Sequence, residues 1–258
     1  MFDDGAHNDG LPNDSLFAAV LPAQAQGTVI EFYVQATDGT RTRTWPAPAL
    51  DGVPVQTANA QYQVDDNVYA GAQPILRLVL TGAERQARAD LDRNNTGSDA
   101  QQNATLVSVD GVNTQIRYGA DMRIRGAGSR GRATKNYRVN IPSDRPWNGM
   151  TALNVNSQYP HAQLVGSVIA QKAGLPAANA RAVQLRVNGE NLARTGPPSG
   201  GDGASWGSYV LVEPINNECV ATGILLLGFV TVQKVVGVVG AGRERPATEL
   251  TGGPDRFP

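Results

Sequence analysis

Residues 118–141, YGADMRIRGAGSRGRATKNYRVNI, constrain the fold more than any other stretch, because two period-two runs flank a loop rich in both glycine and arginine. Met122 and Ile124 on one side, and Tyr137, Val139 and Ile141 on the other, fall at every second position. Each run can therefore bury one face and leave the other in water, as paired strands do. Between them, Gly126, Gly128 and Gly131 allow positive φ and close approach of backbone to a ligand, while Arg125, Arg130, Arg132 and Lys135 concentrate positive charge. Alternation places Lys135 on the face of Tyr137 and Val139, under the loop. A polyanion cradle and a solvated basic surface loop both satisfy this pattern. The spacing is not that of a P-loop, and RGAGSRG echoes a kinase glycine loop only loosely.

The loop is the first of an ordered series of motifs. RIRGAGSRGRATKNYRVNI is followed by ALNVNSQYPHAQLVGSVIAQKAGLPAANARAVQLRVNGE and then by GSYVLVEPIN. This series of an arginine-glycine loop, a K-x-Y-R strand, an L-N-x-N turn, a helix, a V-x-V-N-G-E hairpin and a G-x-Y-x-L-x-E strand resembles the spore-coat-protein-H-like (CotH) kinase family. That family is an atypical, secreted, protein-kinase-like group, and the resemblance covers roughly residues 74–217. It implies ATP and Mg2+ as cofactors, and phosphate transfer to protein Ser/Thr in a full-length parent. Lys135 would pair with the α and β phosphates, and Arg125, Gly126, Ser129 and Arg130 would cradle them. Glu213 falls where the family carries its glutamate; an ordinary edge carboxylate would read the same way. A protein kinase also pairs its phosphate lysine with a helical glutamate, and the predicted helix HAQLVGSVIAQKAGL has none. Catalytic acidic residues are not recognisable, so the sequence leaves open whether this chain is an enzyme. A different class of reading also stands: a noncatalytic bacterial cell-surface or spore-coat module that shows its basic loop to an acidic partner. On either reading the resemblance implies an extracellular or cell-surface location.

Charge narrows the partners. A net charge of -1 over 258 residues lacks the global basic excess of a nucleic-acid or membrane-surface binder, so the cations are clustered rather than abundant. Cys219 is the only cysteine, which excludes an internal disulfide and a cysteine-based zinc site. His7 and His161 lie far apart in sequence, and His161, after Pro160, reads as a solvated first-turn residue.

Read in order, residues 1–50 give three strands from LFAAVLPAQ, TVIEFYVQATDG and TRTRTWPAP, with a turn at Asp38-Gly39, and resemble the end of an immunoglobulin- or fibronectin-like module. The acidic, glycine-rich start has no signal-peptide pattern and reads as cut from something longer. Residues 51–72 shift to Gly, Pro, Ala, Gln and Asp and read as a linker, with a closing strand near Tyr62. Residues 73–217 form the CotH-like region: a strand at PILRLVLT, a helix at GAERQARADLDRN, a hairpin through Asp110-Gly111 and a helix near 160–174. Leu164, Val168 and Ile169 share the face by which that second helix would pack. Residues 218–258 diverge and read as a frameshifted or truncated tail. The apolar run from Cys219 to Val239 is broken by Gln233 and Lys234, which disfavours membrane insertion relative to a β segment. The expected fold is α+β, a mostly antiparallel sheet with a few packed helices in a partial atypical protein-kinase-like arrangement, after a small β-sandwich fragment.

Overall fold

A computed structural model describes residues 1–46, 59–67, 69–94, 97–111, 113–131, 134–192 and 207–215. Its strands are β1 (Val29–Phe32), β2 (Val34–Thr37), β3 (Thr42–Trp45), β4 (Ala60–Gln63), β5 (Ile75–Val79), β6 (Gln102–Val109), β7 (Thr114–Arg125), β8 (Asn136–Asn140), β9 (Ala152–Asn156), β10 (Ala180–Val187), β11 (Glu190–Asn191) and β12 (Ser208–Val212). Two helices, α1 (Gly82–Asn94) and α2 (Pro160–Lys172), accompany them.

Local turn chemistry sets most neighbours. Gly111 takes φ +87° and turns β6 into β7, while Asn188 and Gly189, with φ +48° and +79°, turn β10 into β11. Two consecutive positive-φ residues suit the right-handed twist of the flanking strands. The β6–β7 register slips between Ala104 and Leu106, opposite Gly119 at φ +62°. Such a bulge adds twist and bends the ribbon.

The bent sheet closes. In the order β10-β12-β9-β8-β7-β6-β5, every neighbouring pair is antiparallel, and β5 then meets β10 in a parallel pair to complete a seven-strand barrel. Leu76 stands opposite Leu185 and Leu78 opposite Val187 across that seam. Their side chains join Leu80, Leu106, Met122, Val139, Leu153, Val155, Val183, Tyr209 and Leu211 in one buried core. Asn188 locks the seam. Its amide donates to the Leu80 carbonyl at 2.7 Å and accepts from the Leu80 N–H at 2.9 Å, across 108 residues of sequence.

This overturns the expected α+β, partial kinase-like fold of a mostly antiparallel sheet with a few packed helices. The protein is mostly β, and the helices do not build a layer. α1 buries none of its residues and α2 only Pro160. Of the three residues expected on the packing face of α2, Val168 and Ile169 are exposed, while Leu164 is half-buried and, with Pro160, lines the gap to Ala182 of β10 and Tyr209 of β12. The physical reason is that closure satisfies both sheet edges and fills the interior with strand side chains, so no helical layer is required to cover the apolar face.

The N-terminal strands pair as β1–β4 and β2–β3. LFAAVLPAQ, expected as a strand, contributes only a bridge from Ala18 to Phe2, because Leu16, Phe17, Val20 and Leu21 have no sheet to face and stay exposed. Phe32 and Trp45 meet the Tyr118 ring of β7 edge-on, each at 5.6 Å between centroids, and so hold these ribbons against the barrel wall. The tail, residues 218–258, lies outside the described residues, as do Arg132 and Cys219. No helix among the described residues is long and apolar enough to cross a membrane.

Candidate functional site at the basic loop

β7 and β8 pair from Asp121–Asn140 to Arg125–Asn136, and the loop between them leaves one end of the barrel. Only one of its three glycines needs to be glycine on backbone grounds. Gly126 has φ +108°, and a Cβ there would lie 2.1 Å from the Ser129 hydroxyl, whereas Gly128 and Gly131 have negative-φ backbones with open space where a Cβ would go. The freedom that all three glycines offer is thus used at Gly126 alone of the three.

The loop is held from within. Arg130 is buried, and its guanidinium donates to the Gly126 carbonyl, the Ser98 carbonyl and the Asp99 carboxylate. Asp99 also accepts from Arg123 at 2.7 Å. The Ser129 hydroxyl accepts from the Asn136 amide at 3.3 Å, and the Asn136 oxygen in turn receives the Ser157 N–H at 2.8 Å.

Lys135 follows the loop, and its ammonium donates to the Arg130 carbonyl at 2.6 Å and pairs with Asp92 of α1 at 2.8 Å. The neighbouring turn of α1 brings Arg88 to the Tyr137 hydroxyl at 3.3 Å. α1 thus lies over the barrel end from which the loop emerges. A capping box fixes its start: Thr81 Oγ1 accepts from Glu84 N–H at 3.2 Å, and the Glu84 carboxylate accepts from Thr81 N–H at 2.9 Å. Between α1 and the loop there is a cavity of about 10 Å³, lined by Leu91, Ser98 and Ile124 among others, room for no more than a water.

The structure divides the predicted site residues into two sets. Gly126, Ser129, Arg130 and Lys135 gather at the barrel end. Arg125 pairs with Asn136, the residue after Lys135, so alternation puts it on the opposite, outer face. There its guanidinium donates to the Asn156 amide oxygen at 2.9 Å; burial, together with Arg138 and Arg123 nearby, lowers its pKa. Glu213 stands apart from both sets. Through the β8–β9–β12 register it is level with Val139, four residues along the barrel from the level of Lys135, and it accepts from the Asn179 amide at 2.9 Å. Two acids that the sequence reasoning missed do the neutralising: Asp92 for Lys135, and Asp99 for Arg123 and Arg130. The signal available for Asp92 was its place in the last turn of the helix that connects β5 to β6; for Asp99 there was none.

Asp99 supplies a pH test. Its hydrogen bond from Arg130, opposed by partial desolvation and helped by the charges of Arg123 and Arg130, holds its carboxyl below the ordinary 3.8. A depressed carboxyl stabilises the fold above its unfolded value and loses that contribution as pH falls through the folded value. Loop amide signals in an NMR pH titration are expected to show a transition whose midpoint lies below 3.8. A transition of the Arg123 and Arg130 side-chain signals centred near pH 6 would show that Asp99 does not anchor the loop.

A family model described as CotH kinase protein matches residues 122–226. Over this segment the chain is similar to the CotH kinase family. The match starts inside β7, takes in the whole loop, β8, β9, α2 and the β10–β12 strands, and ends beyond the last described residue. The CotH match therefore holds four strands of the barrel wall entire, while α1, with the acid that pairs Lys135, precedes it. No curated protein matches the chain. Among the described residues, no group of three or more His, Cys, Asp and Glu side chains is arranged to hold a metal.

Proposed function

We propose that this chain carries the phosphate-gripping part of a secreted CotH-like kinase, a segment that binds ATP through the basic loop and serves phosphate transfer to protein Ser/Thr in a full-length parent. One observation carries the reading: a lysine placed directly after the glycine loop and held 2.8 Å from a helical carboxylate, the Lys135–Asp92 pair. A kinase uses a lysine–acid pair of this kind to aim an ammonium at phosphate oxygens. Lys135 would take the α and β phosphates, with Arg130, Gly126 and Ser129 at the loop around them. Arg125, on the outer face, would act there only after rearrangement of the strand end, and Glu213 has no part in this grip. The N-terminal strands would serve as a spacer or attachment module outside the cell.

Lys135→Ala should weaken Mg-ATP binding by about ten- to a hundredfold, the equivalent of roughly 1.5–3 kcal/mol for a hydrogen bond to a charged group. Isothermal titration against the wild-type protein reads this directly. Equal ATP affinity in the two proteins would remove Lys135 from the site.

A second reading has its own support. Asp92 and Asp99 already neutralise Lys135 and Arg130, so the loop is a finished structural element before any ligand arrives. A noncatalytic surface or coat module needs no more than that. Thermal stabilisation by ATP separates the readings, since only a true nucleotide site raises stability with occupancy.

A further inference from the structure

The barrel seam carries a second basic feature, on the outer face and remote from the loop. Arg77 of β5 and Arg186 of β10 are direct partners in the parallel pairing. Their neighbours Leu76, Leu78, Leu185 and Val187 point into the core, so both guanidinium groups lie on the outside of the barrel. Like charges set directly opposite each other on a sheet are unfavourable unless something neutralises them.

Only one of the two is neutralised. Arg77 pairs with Asp65, and that carboxylate also accepts from Gln26 Nε2 at 3.2 Å and from the Asn67 N–H and side-chain amide, each at 3.0 Å. Asp65 is thereby fully engaged. Arg186 reaches only neutral acceptors among the described residues: the Leu185 carbonyl at 3.0 Å, the Asn191 oxygen at 3.4 Å and the Gln184 oxygen at 2.7 Å. Burial lowers its pKa, the Tyr69 hydroxyl acts in the other direction, and the Arg77 charge lowers it further; no carboxylate contributes. Arg77 Nε is buried with no hydrogen-bond partner.

These groups line a cavity of about 380 Å³ between the seam and the β1–β4 ribbon, whose remaining walls include Gln63, Asn67, Tyr69 and Asn188. That volume is in the range of small-ligand sites. We propose that this cavity is an oxyanion site, in which Arg186, assisted by the unpartnered Arg77 Nε–H, binds a small ligand through a carboxylate or phosphate group. A planar guanidinium beside a buried N–H donor offers the bidentate geometry that both groups accept. The proposal does not rest on the kinase-like reading of the loop.

The test is thermal unfolding and isothermal titration of the full chain with inorganic phosphate and with succinate, each against sodium chloride at equal ionic strength. At least one oxyanion should stabilise the wild-type protein beyond chloride, and Arg186→Gln should weaken its binding about tenfold or more. Arg186→Lys, which keeps the charge, should retain measurable but weaker binding. Phosphate alone binding assigns a phosphate ester, succinate alone a carboxylate, and either supports the site. No stabilisation beyond chloride, or undiminished binding in Arg186→Gln, overturns it. So does loss in Lys135→Ala without loss in Arg186→Gln, which would move the oxyanion to the loop.

Discussion

Leu185→Ala should lower the unfolding free energy by about 2–5 kcal/mol, the range for truncating a buried leucine that leaves a cavity behind. Leu185 is completely buried, and its strand is β10, where the barrel closes. Its partner Leu76 belongs to the first strand of the barrel and arrives from the far end of the sequence. In a closed barrel both residues are surrounded on all sides, so the vacated volume cannot collapse without moving β5 or β10. In an open sheet they would sit on two separate edges, each half covered, and the loss would be much smaller. Urea unfolding of the variant beside Ile116→Ala, a 41% exposed residue of β7 expected to stay within about 0.5 kcal/mol, measures the difference. A loss below about 1 kcal/mol for Leu185→Ala would contradict the closed seam.

The second large effect belongs to Gly126. Gly126→Ala should cost about 1–3 kcal/mol, because it forces an L side chain into a sparsely populated backbone region. With φ at +108°, the added methyl would also stand 2.1 Å from Ser129 Oγ, which the Asn136 amide holds in place. Steric overlap and backbone strain can be separated. Adding Ser129→Ala removes the overlap but not the strain, so the double variant should recover part of the loss. Gly128→Ala, two residues on, meets open space and should change stability by no more than about 0.5 kcal/mol. If Gly126→Ala proved as stable as Gly128→Ala, the loop would not depend on this backbone conformation. Loss of the Arg130–Gly126 carbonyl contact in Gly126→Ala should also impair any phosphate grip that the loop supplies.

Much of the strand pattern could be read from local chemistry. Period two marked β7 and β8, Asp110-Gly111 marked the turn between β6 and β7, and helix-forming composition marked α1 to its observed end at Asn94. Each of these signals is carried by residues within a few positions of one another. Closure is not. The parallel β5–β10 pairing joins segments that look like any buried strand, and no local residue announces its partner, so closure was not foreseen. The apolar residues of LFAAVLPAQ read as a strand for the same reason in reverse: propensity was present, but no neighbouring strand was available to pair with it.

The same limit applied at the site. That a lysine follows the glycine loop could be read from spacing. Its carboxylate partner could not, because Asp92 reaches Lys135 only after α1 has been laid over the barrel end. A glutamate was sought on α2, whereas the carboxylate beside Lys135 is Asp92 on α1, the helix between β5 and β6. Arg125 looked like a companion of Arg130 from sequence distance alone. Their partners differ: Arg125 donates to Asn156, whereas Arg130 turns to Gly126, Ser98 and Asp99.

The seam also has a consequence for how the chain is made. Leu80, at the end of β5, leaves the ribosome 108 residues ahead of Asn188, the side chain that clasps it. Throughout that interval the outward backbone of β5 has no strand to pair with, and Leu76 and Leu78 have no Leu185 or Val187 to cover them. Nascent chains crowded on one messenger would present this same unpaired edge to each other, and a strand edge is indifferent to whether its partner comes from its own chain. Faithful folding of this protein therefore depends on keeping β5 to itself until β10 arrives, a demand on spacing and chaperone cover that an ordinary run of hairpins, each closed by the next few residues, would not impose.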